Sequence, residues 1–144
     1  MAFCQLSVFL ENKVGALSEI IGILSENNIN LKAINIAETS DYGIVRIIAD
    51  DTRKAAAVLS AMDYVVSASE ICIAKVPDKV GGLNGVLKIF SDNGIQIEYM
   101  YSVFGLADGM AMMCFRVDDT EKAGRILTGN GFGVADKSEL GVKN

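Results

Sequence analysis

Histidine and tryptophan are absent from these 144 residues, and Pro77 is the single proline. Without histidine the commonest general base and the commonest metal ligand are missing, and Ser–His or Cys–His nucleophile pairs cannot form. The three cysteines, Cys4, Cys72 and Cys114, form no CxxC and cannot all pair, which implies a reducing, cytoplasmic setting in which they serve as small apolar residues. Aromatics are scarce at 7% and no basic cluster occurs in a chain of formal net charge −5, which disfavours nucleic-acid phosphates and anionic membrane surfaces as partners. No apolar run approaches the roughly 20 residues that span a bilayer, and Met1-Ala2-Phe3 leads directly into a strand pattern, so neither a membrane segment nor a signal peptide is expected.

What is present is a folding composition, 51% hydrophobic and 22% charged, written twice. The stretch Asn12–Leu31, NKVGALSEIIGILSENNINL, aligns without gaps to Asp78–Ile97, DKVGGLNGVLKIFSDNGIQI, with identity at eight of twenty positions. Two domains are expected, residues 1–70 and 71–144, each of a size that buries only about 60% of its unfolded surface and gains by packing on its twin.

In chain order, Phe3–Leu10 alternates as a strand with one covered face. From Gly15 to Asn27, Leu17, Ile20, Ile21 and Leu24 recur at helical spacing, and Asn27-Asn28 stops the helix. Ile29–Ala37 and Ile44–Ala49 read as strands joined by a hairpin loop over residues 38–43. Asp50-Asp51-Thr52 supplies capping oxygens for a helix through Met62, and Tyr64–Ser69 closes the unit as a fourth strand. With Glu70 as linker, the second copy repeats the order: a strand from Ile71 to Val76 ended by Pro77, a helix from Gly82 to Asn93 with Leu83, Val86, Leu87 and Phe90 inward, and a strand from Ile95 to Val103 bearing Tyr99 and Tyr101. A longer loop over residues 104–109, the strand Met110–Val117, an Asp118-Asp119-Thr120 cap, a helix Glu121–Thr128 and a short glycine-rich end complete it, with fraying beyond Leu140. The fold class is α+β: two ferredoxin-like βαββαβ units packed side by side, antiparallel sheets with helices on one face.

The acid pairs Asp50-Asp51 and Asp118-Asp119 read as helix caps rather than as a metal site. Other chemistries of this fold need paired cysteines or an arginine in the first turn, or exposed aromatics on a basic face, and the residues are not there. The turns Asn12-Lys13-Val14-Gly15 and Asp78-Lys79-Val80-Gly81-Gly82 are different. A glycine at a helix entry lets a group approach the backbone, where the first N–H groups are unpaired at the positive end of the dipole, and a carboxylate fits there. Asn30, at the start of the next strand, offers two donors and an acceptor suited to an ammonium or a polar side chain. The bland alternative is that both glycines merely close turns.

The run LENKVGALSEIIGILSENNINLKAINI, Leu10–Ile36, resembles the ACT-domain family of amino-acid-binding regulatory modules, and Asp78–Ile97 matches the same pattern. The resemblance is nearest to the regulatory domain of phosphoglycerate dehydrogenase and to the small subunit of acetolactate synthase. It implies a free amino acid held between two copies, with Asn12, Gly15 and Asn30 as ligand-binding residues in the first and Asp78, Gly81 and Gln96 in the second. Flanking residues Val14, Ala16, Leu17 and Leu31, and Val80, Gly82, Leu83 and Ile97, are implied with them. The sequence departs from the family pattern in having Val14 and Val80 for the usual proline and Asp78 and Gln96 for asparagine, which implies two unequal sites. The expected function is that of a non-catalytic sensor or regulatory subunit without cofactor or metal, forming a homodimer and serving a metabolic enzyme partner; the alternative is a scaffold that holds such an enzyme without a ligand.

Overall fold

The computed structural model describes residues 2–38, 41–104 and 109–144. Parts of both expected hairpin loops, residues 39–40 and 105–108, lie outside the described residues. The chain forms two compact units: Cys4–Ser69 with Leu140–Asn144, and Met1–Phe3 with Glu70–Glu139.

The first unit contains β1 (Phe3–Glu11), α1 (Ala16–Glu26), β2 (Leu31–Glu38), β3 (Tyr42–Ala49), α2 (Thr52–Ala61) and the opening residues of β4 (Val66–Pro77). Its strands lie antiparallel in the order β2-β3-β1, with the Phe9 N–H donating to the Val65 carbonyl at 3.1 Å on the far side of β1. Register places Leu6 opposite Ile47 and Val8 opposite Val45, so these side chains share one face. On that face they join Ile20, Ile23 and Leu24 of α1 and Ala55 and Leu59 of α2 in a buried apolar core.

The second unit repeats the plan with the remainder of β4, α3 (Gly82–Asp92), β5 (Ile97–Ser102), β6 (Met110–Val117), α4 (Thr120–Gly129), β7 (Gly133–Val134) and α5 (Lys137–Leu140). β4 lies between β6 and β7, and β5 flanks β6. Cys72, Ala74, Val76, Phe115 and Val117 meet Val86, Phe90, Ala123 and Leu127 from the helices, with Phe90 edge-on to Phe115 at 5.2 Å between ring centres. Each unit therefore has the βαββαβ order and antiparallel sheet expected of a ferredoxin-like fold, with both helices on one face.

The repeated punctuation is visible atom by atom. Asp51 caps α2 through the Lys54 N–H at 3.1 Å, and Asp119 caps α4 through the Lys122 N–H at 3.0 Å. At the other ends, the side-chain amides of Asn27, Asn93 and Asn130 each donate to a carbonyl four residues back at 2.8 Å. The next residues, Asn28, Gly94 and Gly131, take positive φ, as chain reversal after a helix requires.

Three expectations are corrected. The two strands read on either side of Glu70 are one strand, β4. No glycine or proline interrupts Val66–Val76, and an exposed charge alone does not end a strand. Leu83, expected on the inner side of α3, is 38% exposed in that helix's first turn. The segment beyond Leu140 does not fray: Leu140 and Val142 are buried, and the Lys143 N–H donates to the Asp50 carbonyl at 2.7 Å.

Candidate functional site

Each unit enters its first helix through the same turn. The Lys13 N–H donates to the Glu11 carbonyl at 2.9 Å, and the Lys79 N–H to the Pro77 carbonyl at 2.9 Å. Gly15 then takes φ 87° and ψ −11°, and Gly81 takes φ 85° and ψ −7°. A β-carbon at either glycine would meet no atom within 4 Å, so the residue type answers to conformation and not to crowding. Neither α1 nor α3 has a side-chain cap, whereas α2 and α4 do. The Ala16 N–H closes the first turn on the Lys13 carbonyl at 3.3 Å and the Gly82 N–H closes the second on the Lys79 carbonyl at 3.0 Å, so the amides left without a side-chain cap are those of the residues that follow, near the wholly exposed side chains of Val14 and Val80. Asn12 and Asp78 are exposed in the same turns, and the Asp78 N–H donates to the Gly109 carbonyl at 2.9 Å.

The copies differ one residue further on. Ala16 is buried without conflict, but a β-carbon on Gly82 would lie 1.9 Å from the Pro77 carbonyl oxygen. The second turn is tighter and admits glycine alone.

Asn30 and Gln96 stand elsewhere in their units. The register pairs Glu11 with Tyr42 at one end of β3 and Leu31 with Ala49 at the other. α1, of 11 residues, spans the interval, about 16 Å. Within one unit, Asn12, Val14, Gly15, Ala16 and Leu17 gather at one end and Asn30 and Leu31 at the opposite end. The second unit is alike: Pro77 pairs with Met110 and Ile97 with Val117, so Asp78, Val80, Gly81, Gly82 and Leu83 are apart from Gln96 and Ile97. At this second end the backbone of Asn30 is clasped by Asp50, whose carboxylate accepts from the Asn30 N–H at 3.1 Å while its own N–H donates to the Asn30 carbonyl at 2.9 Å. Gln96 and Asp118 repeat the exchange at 3.2 and 3.3 Å. Of each acid pair, the second residue caps a helix and the first fastens a strand end. The capping role is legible in the Asp-Asp-Thr spacing, whereas the clasp depends on strand register.

Tyr99 and Tyr101 stack with ring centres 6.4 Å apart, opposite Arg116 and Cys114 in register and on the side of β5 away from Met100. An open depression of ≈ 1180 Å³ lies elsewhere, along α4, among Glu70, Cys72, Asp119, Thr120 and Arg125. None of the residues expected to bind ligand lines it. Burial pushes the Cys72 thiol up to about 11, leaving it protonated and weakly nucleophilic at neutral pH. Among the described residues no three of histidine, cysteine, aspartate and glutamate are placed to hold a metal ion, and no helix is long and apolar enough to cross a membrane.

Comparison with known proteins gives the fold a family. Residues 1–141 match the model of the ACT domain pair. A segment of 42 residues is 43% identical to the acetolactate synthase small subunit of Buchnera aphidicola subsp. Baizongia pistaciae, covering 29% of this chain and 26% of that one, so the match spans about a quarter of that relative's length. Among solved structures, protein BT0572 from Bacteroides thetaiotaomicron superposes with TM-score 0.90 at 35% identity, over 98% of this chain and 96% of that one. The ligand-free regulatory subunit of aspartate kinase from Thermus thermophilus shares the fold, with TM-score 0.62 at 13% identity over 89% and 92% of the two chains. A family model spanning nearly every residue, over two units built on one plan, shows that the chain belongs to the ACT domain pair family.

Proposed function

We infer that this chain is a regulatory protein that binds a free amino acid, with the ligand carboxylate at the uncapped N-terminus of α1 or α3. The observation that carries this reading is the contrast among four helices: α2 and α4 are closed by aspartate side chains, while α1 and α3 begin at left-handed glycines with open space in front of them. The N–H groups that follow the bonded Ala16 or Gly82 amide, at the positive end of the helix, suit a carboxylate. Asn30 and Gln96 are about a helix length from the glycine turn of their own unit, so neither reaches a ligand held at that turn.

The two turns are unequal in this reading. Asn12 can donate to a ligand carboxylate, whereas the Asp78 carboxylate repels one and favours an ammonium. Regulation follows by linkage: the ligand shifts the protein between arrangements only by its difference in affinity for them. The chain itself performs no catalysis in this account and works in the cytoplasm, as a homodimer serving a metabolic enzyme. The exposed Val14, Val80 and Leu83 favour a second reading, in which the same turns dock on a partner enzyme without a ligand.

A thermal-shift screen with the twenty amino acids separates the two. A ligand at 100 times its dissociation constant adds about 2.7 kcal/mol of stability. Gly15→Asp, which sets a carboxylate at the helix entry, should abolish that shift for a ligand held at α1. No shift with any amino acid, and none altered by Gly15→Asp or Gly81→Asp, would leave the docking reading.

A further inference from the structure

The acid-acid-threonine sequence at the start of the second helix occurs once in each unit, and the two occurrences have different neighbours. In the first unit the chain's own segment Leu140–Asn144 lies across it. The Thr52 hydroxyl donates to the Asn144 main-chain carbonyl at 2.9 Å, the Arg53 N–H donates to the Asn144 side-chain oxygen at 2.9 Å, and the Asn144 amide donates to the Asp51 carboxylate at 3.1 Å. The Lys143 N–H is fixed on the Asp50 carbonyl, and its charge helps hold the Asp51 carboxyl below its ordinary range, after the larger effects of the Lys54 N–H and the Asn144 amide. A carboxamide satisfies this receptor because it accepts from an N–H through its oxygen and donates to a carboxylate through its nitrogen, which a carboxylate or an ammonium cannot do.

In the second unit Asp118-Asp119-Thr120 presents the same groups, but the place of that segment is the open depression along α4. Asp119 caps α4 as Asp51 caps α2. The Glu121 N–H stands in the first turn of α4 where the Arg53 N–H stands in α2, and the Thr120 hydroxyl donates to the Glu70 carboxylate at 3.2 Å. The wall carries Glu70, Asp118, Asp119 and Glu121 against Arg125, so its charge is negative.

We propose that this groove is a docking site for an extended segment of a partner protein in which a small apolar stretch is followed by a basic residue and an asparagine. The chemistry is that of Leu140–Asn144. The partner's main-chain carbonyl takes the Thr120 hydroxyl, its asparagine bridges the Glu121 N–H and the Asp119 carboxylate, and its cation faces the acidic wall. The site lies within one unit and uses none of the glycine-turn residues, so it stands apart from amino-acid binding.

The test titrates the intact chain with the acetylated, amidated peptide Leu-Gly-Val-Lys-Asn, followed by amide chemical shifts. The expected result is saturable binding of one peptide with a dissociation constant on the order of 1 mM, with shifts centred on Thr120–Arg125. Thr120→Val should weaken it about tenfold, as should Asp in place of the peptide's Asn. Arg125→Glu, which deepens the negative charge, should tighten it several-fold in low salt, a gain that misfolding cannot mimic. Shifts on α2 instead, binding seen only after deletion of Leu140–Asn144, or affinity indifferent to Arg125→Glu would each overturn the proposal, as would no binding at ten times that concentration.

Discussion

Gly15 and Gly81 hold one backbone conformation in two copies, their φ angles 2° apart. Because a β-carbon meets nothing at either position, replacement tests conformation alone. Gly15→Ala and Gly81→Ala should each cost about 1 kcal/mol by urea unfolding, the expense of a left-handed L-residue. Gly82→Ala should cost about 3 kcal/mol, since its β-carbon would overlap the Pro77 carbonyl and the turn must open. Equal losses at all three positions would show that the second turn is not the tighter one.

The segment beyond Glu139 gives a second prediction. Deleting Leu140–Asn144 removes the buried Leu140 and Val142 side chains and three hydrogen bonds made by Asn144, which should lower stability by about 2 kcal/mol. Asn144→Asp is more informative, because it sets a carboxylate against Asp51. The variant should be weaker than the parent at neutral pH and approach it as acid protonates one of the two groups. Asp51 is held below its ordinary value in the parent, by the Lys54 N–H foremost and then the Asn144 amide, so its contribution is present above pH about 4 and fades as pH falls. Denaturant midpoints for both chains between neutral and acid pH provide the check.

Tyr64 gives the alkaline counterpart. Its hydroxyl donates to the Glu19 carboxylate at 2.7 Å, and that bond, with some burial, pushes its ionisation up to about 12. The folded chain therefore holds the phenolic proton more tightly than the unfolded one. The stabilisation is complete below pH about 10 and is lost as pH rises from there toward about 12. Tyr64→Phe should lower stability across the neutral region and remove the decline in that window, so that the two profiles converge as pH nears about 12; parallel profiles would show that the bond contributes nothing.

The ferredoxin-like fold was legible because local signals and global plan agree. Leu17, Ile20, Ile21 and Leu24 at helical spacing face the first core, and the Asp-Asp-Thr triplets begin both second helices as capping chemistry requires. The separation of Asn30 from Gly15 was also legible in principle, since a helix of 11 residues carries the chain about 16 Å from the turn before the next strand begins. The docking of Leu140–Asn144 was harder to read, because Leu140 and Val142 are two apolar residues in a glycine- and lysine-bearing stretch, and the hydrogen-bond partners of Asn144 lie about 90 positions earlier. Continuity of β4 was hidden by Glu70, whose exposure is compatible with a strand edge and with a linker alike.

The central claim, an amino-acid carboxylate at the glycine turns, is tested most directly by the amide signals of the turns themselves. In a titration of the labelled chain with each amino acid, saturable shifts are predicted at Leu17 and Ser18 or at Leu83 and Asn84 for at least one of them, lost in Gly15→Asp or Gly81→Asp respectively. Saturable shifts confined to other positions, or none at either turn with all twenty amino acids, would contradict it.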